Sequence, residues 1–366
     1  MNKSSKRIIY VDIMRAFAVI MMIQGHTVDT FLANEYRTMD SIFYSVWYTL
    51  RGFTAPVFMF TAGLVFTYLL KPDQYDFLSN PRVKKGFKRA LVLISIGYLL
   101  RYPTAKVFDF SHVTKGQWDI FFAVDALHLI GFGLLTILVS LFIAKRAHIS
   151  FSLILYFLIL FLLLFSPFIS NIEWIQFMPQ FLASYFTNAY GSLFPLFPWL
   201  IYVIAGAILG NQLYNRSGLY LKKRFSFSLF LLGILFILLS IGLFNIQQLT
   251  SGNLSNWFYS NGIILLRIGG VLVLNGIMAF IVRKIDRIPS LILETGKKTL
   301  LLYAVHIIIL YGCAWFPGLY KYYARSFDTQ ETIFAVVMMF VSMLSLVQFS
   351  RKVSFFRKLK LAITKV

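Results

Sequence analysis

Charge is scarce in this sequence and cysteine nearly absent: 13% of its 366 residues are charged, and Cys313 is the single cysteine. One cysteine excludes an intramolecular disulfide, so the fold has no need of an oxidising compartment. Acidic residues are the scarcer charge, 14 against 35 Lys and Arg, for a net +21. Also missing are HExxH, paired CxxC, GxSxG and Walker sequences, the signatures of metalloproteases, zinc ribbons, serine hydrolases and nucleotide hydrolases. The five histidines are not at metal-ligand spacing, and no metal is expected. No solenoid or propeller period and no low-complexity tract can be seen.

What is abundant is apolar. The chain is 58% hydrophobic and 18% aromatic, with a mean hydropathy of +0.74, outside the usual range of a soluble domain. The lipid bilayer is the expected solvent. A basic excess would suggest nucleic acid in a soluble protein, but here it sits in short connections between apolar runs, where the positive-inside bias places it. Nucleic acid is not an expected partner.

Backbone polar groups must be satisfied internally in lipid, so spans of about 20 residues are the unit to look for. About ten appear, near 12–33, 48–70, 89–102, 120–144, 150–169, 194–213, 226–246, 260–282, 298–316 and 331–350. The third is short enough to begin in the basic stretch before it. The fold class is thus all-α, a polytopic membrane helix bundle with one domain over 1–366. Basic segments (the N-terminal tail, 71–89, 145–146, 216–224, 283–298 and the tail after Arg351) alternate with nearly charge-balanced ones. That alternation predicts both termini in the cytoplasm, with the loops near 34–47, 103–119, 170–193, 247–259 and 317–330 outside. Lys3, Lys6 and Arg7 precede an apolar run, as in a signal peptide, but no small-residue cleavage site follows; the run reads as a retained first span.

Ionisable residues inside spans are costly and usually face a bundle interior or a water-filled cavity. The first span carries Asp12, Arg15, His26 and Asp29. At about 100° per residue these fall on one stripe, Arg15 and His26 differing by about 20°. Asp12 and Arg15 read equally as an ion pair at the cytoplasmic edge. Alone, His26 would be a packed, hydrogen-bonded histidine. Asp29, one turn away, could orient its imidazole and stabilise the protonated form, as a general base requires.

Other spans offer polar groups at similar depth: Asp125 with His128, Asn261 with Arg267, Arg51 at the start of the second, and Tyr303 and His306 in the ninth. Pro195 and Pro198 could bend the entry to the sixth, and Trp199 could anchor at the interface or line a pocket. Each has a plainer reading: Trp199 as a belt residue, Arg51 snorkelling, Asp125 and His128 bonding only one another, His306 packed alone. Gly206 and Gly210 form GxxxG, which most often reports close helix packing.

The segments YVDIMRAFAVIMMIQGHTVDTF, RGFTAPVFMFTAG, VDALHLIGFGLL, FPLFPWLIYVIAGAILG and ETGKKTLLLYAVHI, in that order, resemble the heparan-α-glucosaminide N-acetyltransferase-like family. That family belongs to a larger transmembrane acyltransferase group that also includes acyltransferase family 3. The resemblance runs from about Tyr10 to Ile307. It implies a multi-span enzyme taking an acyl group, typically acetyl, from cytosolic acyl-CoA to a sugar or glycan amine or hydroxyl across the membrane. In that reading His26 matches the catalytic first-span histidine of bacterial relatives, Asp12 and Arg15 match a D-x-x-R, and Arg51 and Pro56 match the second motif. Asp125, His128, Trp199 and His306 match later polar positions. Acetyl-CoA or another acyl-CoA is then the co-substrate, a homodimer is compatible, and a bacterial cytoplasmic membrane is the expected location. N- versus O-acylation and direct transfer versus an acyl-histidine remain open.

Arg15 and His26 are separated by about 16 Å of helix rise, comparable to a pantetheine arm, and the basic cytoplasmic face would attract the CoA phosphates. His26 and Asp29 are the candidate catalytic pair, with Arg267, Trp199 or Asn261 holding substrate or the developing oxyanion. A proton-coupled transporter or flippase is the competing class, since Asp, His and Arg chains also build proton relays. The charge pattern makes one prediction directly: reporter fusions after residues 75, 147 and 285 should report cytoplasm, and fusions after 108 and 190 the outside.

Overall fold

The computed structural model describes residues 8–216, 218–285 and 287–363, with side chains described through Lys352. Lys3, Lys6 and Arg7 of the basic N-terminal segment lie outside the described residues. The helices among those described are α1 (Ile9–Phe31), α2 (Ile42–Arg51), α3 (Thr54–Leu70), α4 (Pro81–Leu100), α5 (Lys115–Phe122), α6 (Ala126–Ala147), α7 (Phe151–Ser170), α8 (Gln180–Ala183), α9 (Leu196–Asn215), α10 (Lys223–Gln248), α11 (Gly252–Lys284), α12 (Ser290–Lys297), α13 (Thr299–Tyr311), α14 (Tyr320–Tyr323) and α15 (Thr329–Ile363). The exception to an all-α chain is a two-residue antiparallel pair, β1 (Gly312–Cys313) with β2 (Phe316–Pro317).

Among the described residues, eight stretches are helical, long and apolar enough to cross a membrane: α1, α2 with α3, α5 with α6, α7, α9, α10, α11 and Thr329–Lys352 of α15. The other two expected spans fall on helices of a different kind. The one near 89–102 belongs to α4, which starts at Pro81 and carries Lys84, Lys85, Lys88 and Arg89 in its first half. Asn80 explains the earlier start. Its carbonyl oxygen accepts from Arg82 N at 2.9 Å, capping α4, while its amide donates to Leu70 O at 2.8 Å, closing α3. The span near 298–316 is α13, thirteen residues and about 20 Å long. At the other end, α15 runs through the expected tail as far as Ile363.

The chain divides into two compact units, one of residues 55–284 and one of 8–54 with the residues from 285 onward. In the first, α3 and α9 cross at glycines from both sides. A Cβ on Gly63 would strike the Val203 carbonyl, one on Gly206 the Phe60 carbonyl, and one on Gly210 the Leu64 carbonyl. Lipid offers no hydrophobic drive between helices, so backbone approach and dispersion must hold them. The long pair α10 and α11 does the same where a Cβ on Gly233 would lie 2.6 Å from Gly269 O, and one on Gly269 2.7 Å from Gly233 O. Helices α7 and α10 leave most large apolar side chains exposed, Phe157 and Leu238 among them, as lipid-facing helices do.

In the second unit α1 packs on α12, α13 and α15. Gly296 of α12 lies against the Asp12 carbonyl, where a Cβ would collide. The far end of α1 is strapped by backbone bonds: Arg325 N to Thr30 O at 2.8 Å, Phe327 N to Phe31 O at 2.9 Å and Ala33 N to Phe327 O at 2.9 Å. Phe31 stacks on Phe327 with ring centroids 4.9 Å apart.

Replacing Gly206 with Leu should destabilise the protein by about 3 kcal/mol, the top of the overpacking range, and so lower its apparent unfolding temperature in a detergent thermal-shift assay. Gly242→Leu, at a site where a Cβ meets nothing within 4 Å, should leave it unchanged.

Candidate active site

The polar stripe of α1 lies within the second unit, each residue tied to a different neighbour. Asp12 is in the first turn, where the helix dipole favours a carboxylate, and is 8% exposed. Arg15 reaches across to α13, its Nη2 donating to Thr299 Oγ1 at 2.9 Å. His26, half-buried, packs against the same helix further along. Its ring centroid is 5.4 Å from that of His306 and 5.6 Å from that of Tyr311, and its Nδ1 is 3.1 Å from the Tyr311 hydroxyl.

Asp29 does not orient His26 as the one-turn spacing suggested. Its carboxylate is ion-paired with Arg51 and lies 3.8 Å from Arg37 Nη1. Two guanidiniums from other parts of the chain are stronger partners for a carboxylate than an imidazole one helix turn away. Arg37 also closes α1, donating from Nη2 to Asp29 O at 2.9 Å and Val28 O at 3.2 Å, and from Nε to Leu32 O at 2.9 Å. A cation just past a helix end is suited to that task, and this was the available sequence signal for Arg37. Arg51 packs along Gly25, with its guanidinium 5.5 Å from the Trp47 ring centroid, and Trp47 Nε1 donates to Gln24 Oε1 at 2.8 Å. Tyr311, Arg37, Trp47 and Gln24 are the neighbours of the stripe that sequence reasoning missed. Gln24 lies on α1 itself, while Tyr311 and Trp47 come from helices whose register against α1 no local pattern encodes.

His306 is fully buried, and its Nδ1 lies 2.7 Å from Leu302 O. A carbonyl only accepts, so Nδ1 carries the proton. Its Nε2 is buried without a hydrogen-bond partner among the described residues.

The first unit holds the remaining candidates. Asp125 is the N-cap of α6, accepting from Leu127 N at 2.8 Å and His128 N at 3.2 Å, with His128 at the reciprocal position of a capping box. His128 Nδ1 is 2.9 Å from Asp125 Oδ1, and Arg101 Nε is 3.8 Å from Asp125 Oδ2. The plainer reading of this pair, bonding one another, describes what is found. Around the buried His128 ring, Tyr98 sits at 4.3 Å between centroids and its hydroxyl meets that of Tyr185 at 2.8 Å. Burial, with the Tyr98 bond, pushes the Tyr185 hydroxyl well up.

Trp199 and Arg267 do come together, the guanidinium 5.0 Å from the ring centroid, with Tyr202 and Phe194 beside the indole. Trp199 is therefore held by a cation from α11. Asn261 donates within its own helix to Trp257 O at 3.1 Å, and its Oδ1 is buried without a partner among the described residues. Pro56 is buried in the first turn of α3, where a missing N–H costs nothing. Among the described residues no group of three His, Cys, Asp or Glu could hold a metal.

The ion pair supports a test of the site's frame. Asp29→Asn should destabilise the protein by about 1–3 kcal/mol, the cost of leaving two half-buried arginines short of an acceptor. In a thermal-shift double-mutant cycle, Arg51→Gln should recover part of that loss.

A family model described as heparan-alpha-glucosaminide N-acetyltransferase, catalytic, matches residues 7–248. The matched region includes Asp12, Arg15, His26, Asp29, Arg51, Asp125, His128 and Trp199, while Asn261, Arg267, His306 and Tyr311 lie beyond it. No curated protein and no solved structure matches the chain. Since the match covers well over half of the residues and the structure supplies the apolar helices such a protein needs, the chain belongs to the heparan-alpha-glucosaminide N-acetyltransferase catalytic-domain family.

Proposed function

We propose that the whole chain works as one membrane-embedded acyltransferase, moving an acyl group, acetyl in the first instance, from cytosolic acyl-CoA to an amine or hydroxyl of a sugar or glycan on the outer side of a bacterial cytoplasmic membrane. The observation that carries this reading is the catalytic-domain match over residues 7–248, which takes in His26. Exposure supports His26 over its rivals: His128 and His306 are 0% exposed, whereas His26 is half-buried. A group that takes a proton from a substrate must be reachable.

The chemistry asked of the site is small. The acceptor nitrogen or oxygen bonds to the thioester carbonyl carbon, the C–S bond breaks, and the CoA sulfur leaves as thiolate. His26 removes the acceptor proton as the new bond forms and passes it to the sulfur. Asp12 and Arg15 are assigned to the acyl-CoA end of the stripe, where the Arg15–Thr299 bond holds a guanidinium in place for an anionic or carbonyl group. Arg51 and His306 remain near the base. In the first unit, the Trp199–Arg267 stack offers an apolar face and a cation suited to a sugar ring, with Asn261, Asp125 and His128 as further substrate-binding candidates.

Purified protein mixed with acetyl-CoA and an amino sugar should release CoA thiol. His26→Ala should lower that rate by about 10²–10⁴-fold, the usual contribution of a general base, at an unchanged thermal midpoint. Full activity in His26→Ala overturns the assignment. Solute flux into vesicles without thiol release would favour the transporter class.

A further inference from the structure

A base on an imidazole needs one nitrogen bare and the other spoken for, and Asp29 is not available to arrange it. Its carboxylate is engaged by Arg51 and Arg37. The partner at His26 Nδ1 is the Tyr311 hydroxyl at 3.1 Å. A tyrosine hydroxyl can donate or accept, so this contact alone leaves the tautomer undecided. A base that works through Nε2 must carry its proton on Nδ1, and the group placed to accept it there is the Tyr311 oxygen.

We propose that Tyr311 holds the proton on Nδ1 of His26 and so is a positioning residue for acyl transfer, an inference that rests on His26 being the base. His306 is compatible with this arrangement and adds to it. Its proton is committed to Leu302 O, so its own Nε2 has no hydrogen to donate, and the ring packed 5.4 Å from His26 cannot block the bare nitrogen by bonding to it. During transfer, Nε2 takes the acceptor proton as the acceptor's bond to the carbonyl carbon forms. The Nδ1–H···Oη contact then becomes a charge-assisted hydrogen bond, stronger in the imidazolium than in the resting ring. Tyr311 lies beyond the matched residues and outside every quoted motif.

The test reads the tautomer directly. In full-length protein labelled with ¹⁵N-histidine, with the His26 signals assigned by their loss in His26→Ala, Nδ1 should be protonated and Nε2 bare. Tyr311→Phe should raise the population with the proton on Nε2 and lower kcat by about 10–10²-fold with little change in KM for acetyl-CoA. If the tyrosine variant does not fold, the wild-type protein still decides, since a resting His26 with its proton on Nε2 overturns this inference. A wild-type tautomer and kcat in Tyr311→Phe, with His26→Ala inactive, also overturns it and leaves the base assignment standing. Activity retained by His26→Ala instead removes the base assignment, and the catalytic meaning of Tyr311 with it.

Discussion

Asp29 sits in the last turn of α1 and is held by two arginines, and this end of the second unit is organised around that carboxylate. Arg51 comes from the end of α2 and Arg37 from the segment between α1 and α2, so one anion ties three pieces of chain together. Arg37 also donates to the Val28 and Asp29 carbonyls in the last turns of α1, where a helix runs short of its own N–H donors. With Asp29 committed, the histidine one turn earlier must find its partner elsewhere, and it finds Tyr311 on α13.

Polar residues in this chain have two fates, and the difference is geometric. Some satisfy their own helix: Asp125 and His128 cap α6, and Asn261 bonds back to Trp257. Others reach across to another element, as Arg15 does to Thr299, Arg267 to Trp199 and His26 to Tyr311. The first kind lower the cost of a helix start or a buried amide, with His128 Nε2 and Asn261 Oδ1 left unbonded among the described residues. The second kind keep donors or lone pairs at places where two helices meet.

Close approach of helices makes such crossings possible. Where Gly63, Gly206 and Gly210 bring α3 onto α9, backbones touch, and any side chain would force them apart. The same device at Gly296 sets α12 against Asp12, so the Asp12 end of the polar stripe and its neighbour are positioned by backbone contact. Packing of this sort replaces the hydrophobic drive that lipid does not provide.

The sequence by itself determined that the chain is helical and membrane-embedded, that His26 shares a stripe with Asp12, Arg15 and Asp29, and which family it resembles. These depend on composition, on the 3.6-residue period and on local motifs, all of which are written within a single helix. Most helices fall where apolar runs predict them. The third span does begin in the basic stretch before it, where Asn80 caps α4, and the miss is at the other end, where α15 continues past Arg351. Tertiary structure alone decided who partners whom. Spacing suggested Asp29 for His26, but the Coulomb attraction of Arg51 and Arg37 outweighs an imidazole three residues away. Tyr311 is 285 residues from His26 in the chain, and no local pattern carries a contact over that separation; only the packing of α13 on α1 brings the two rings together.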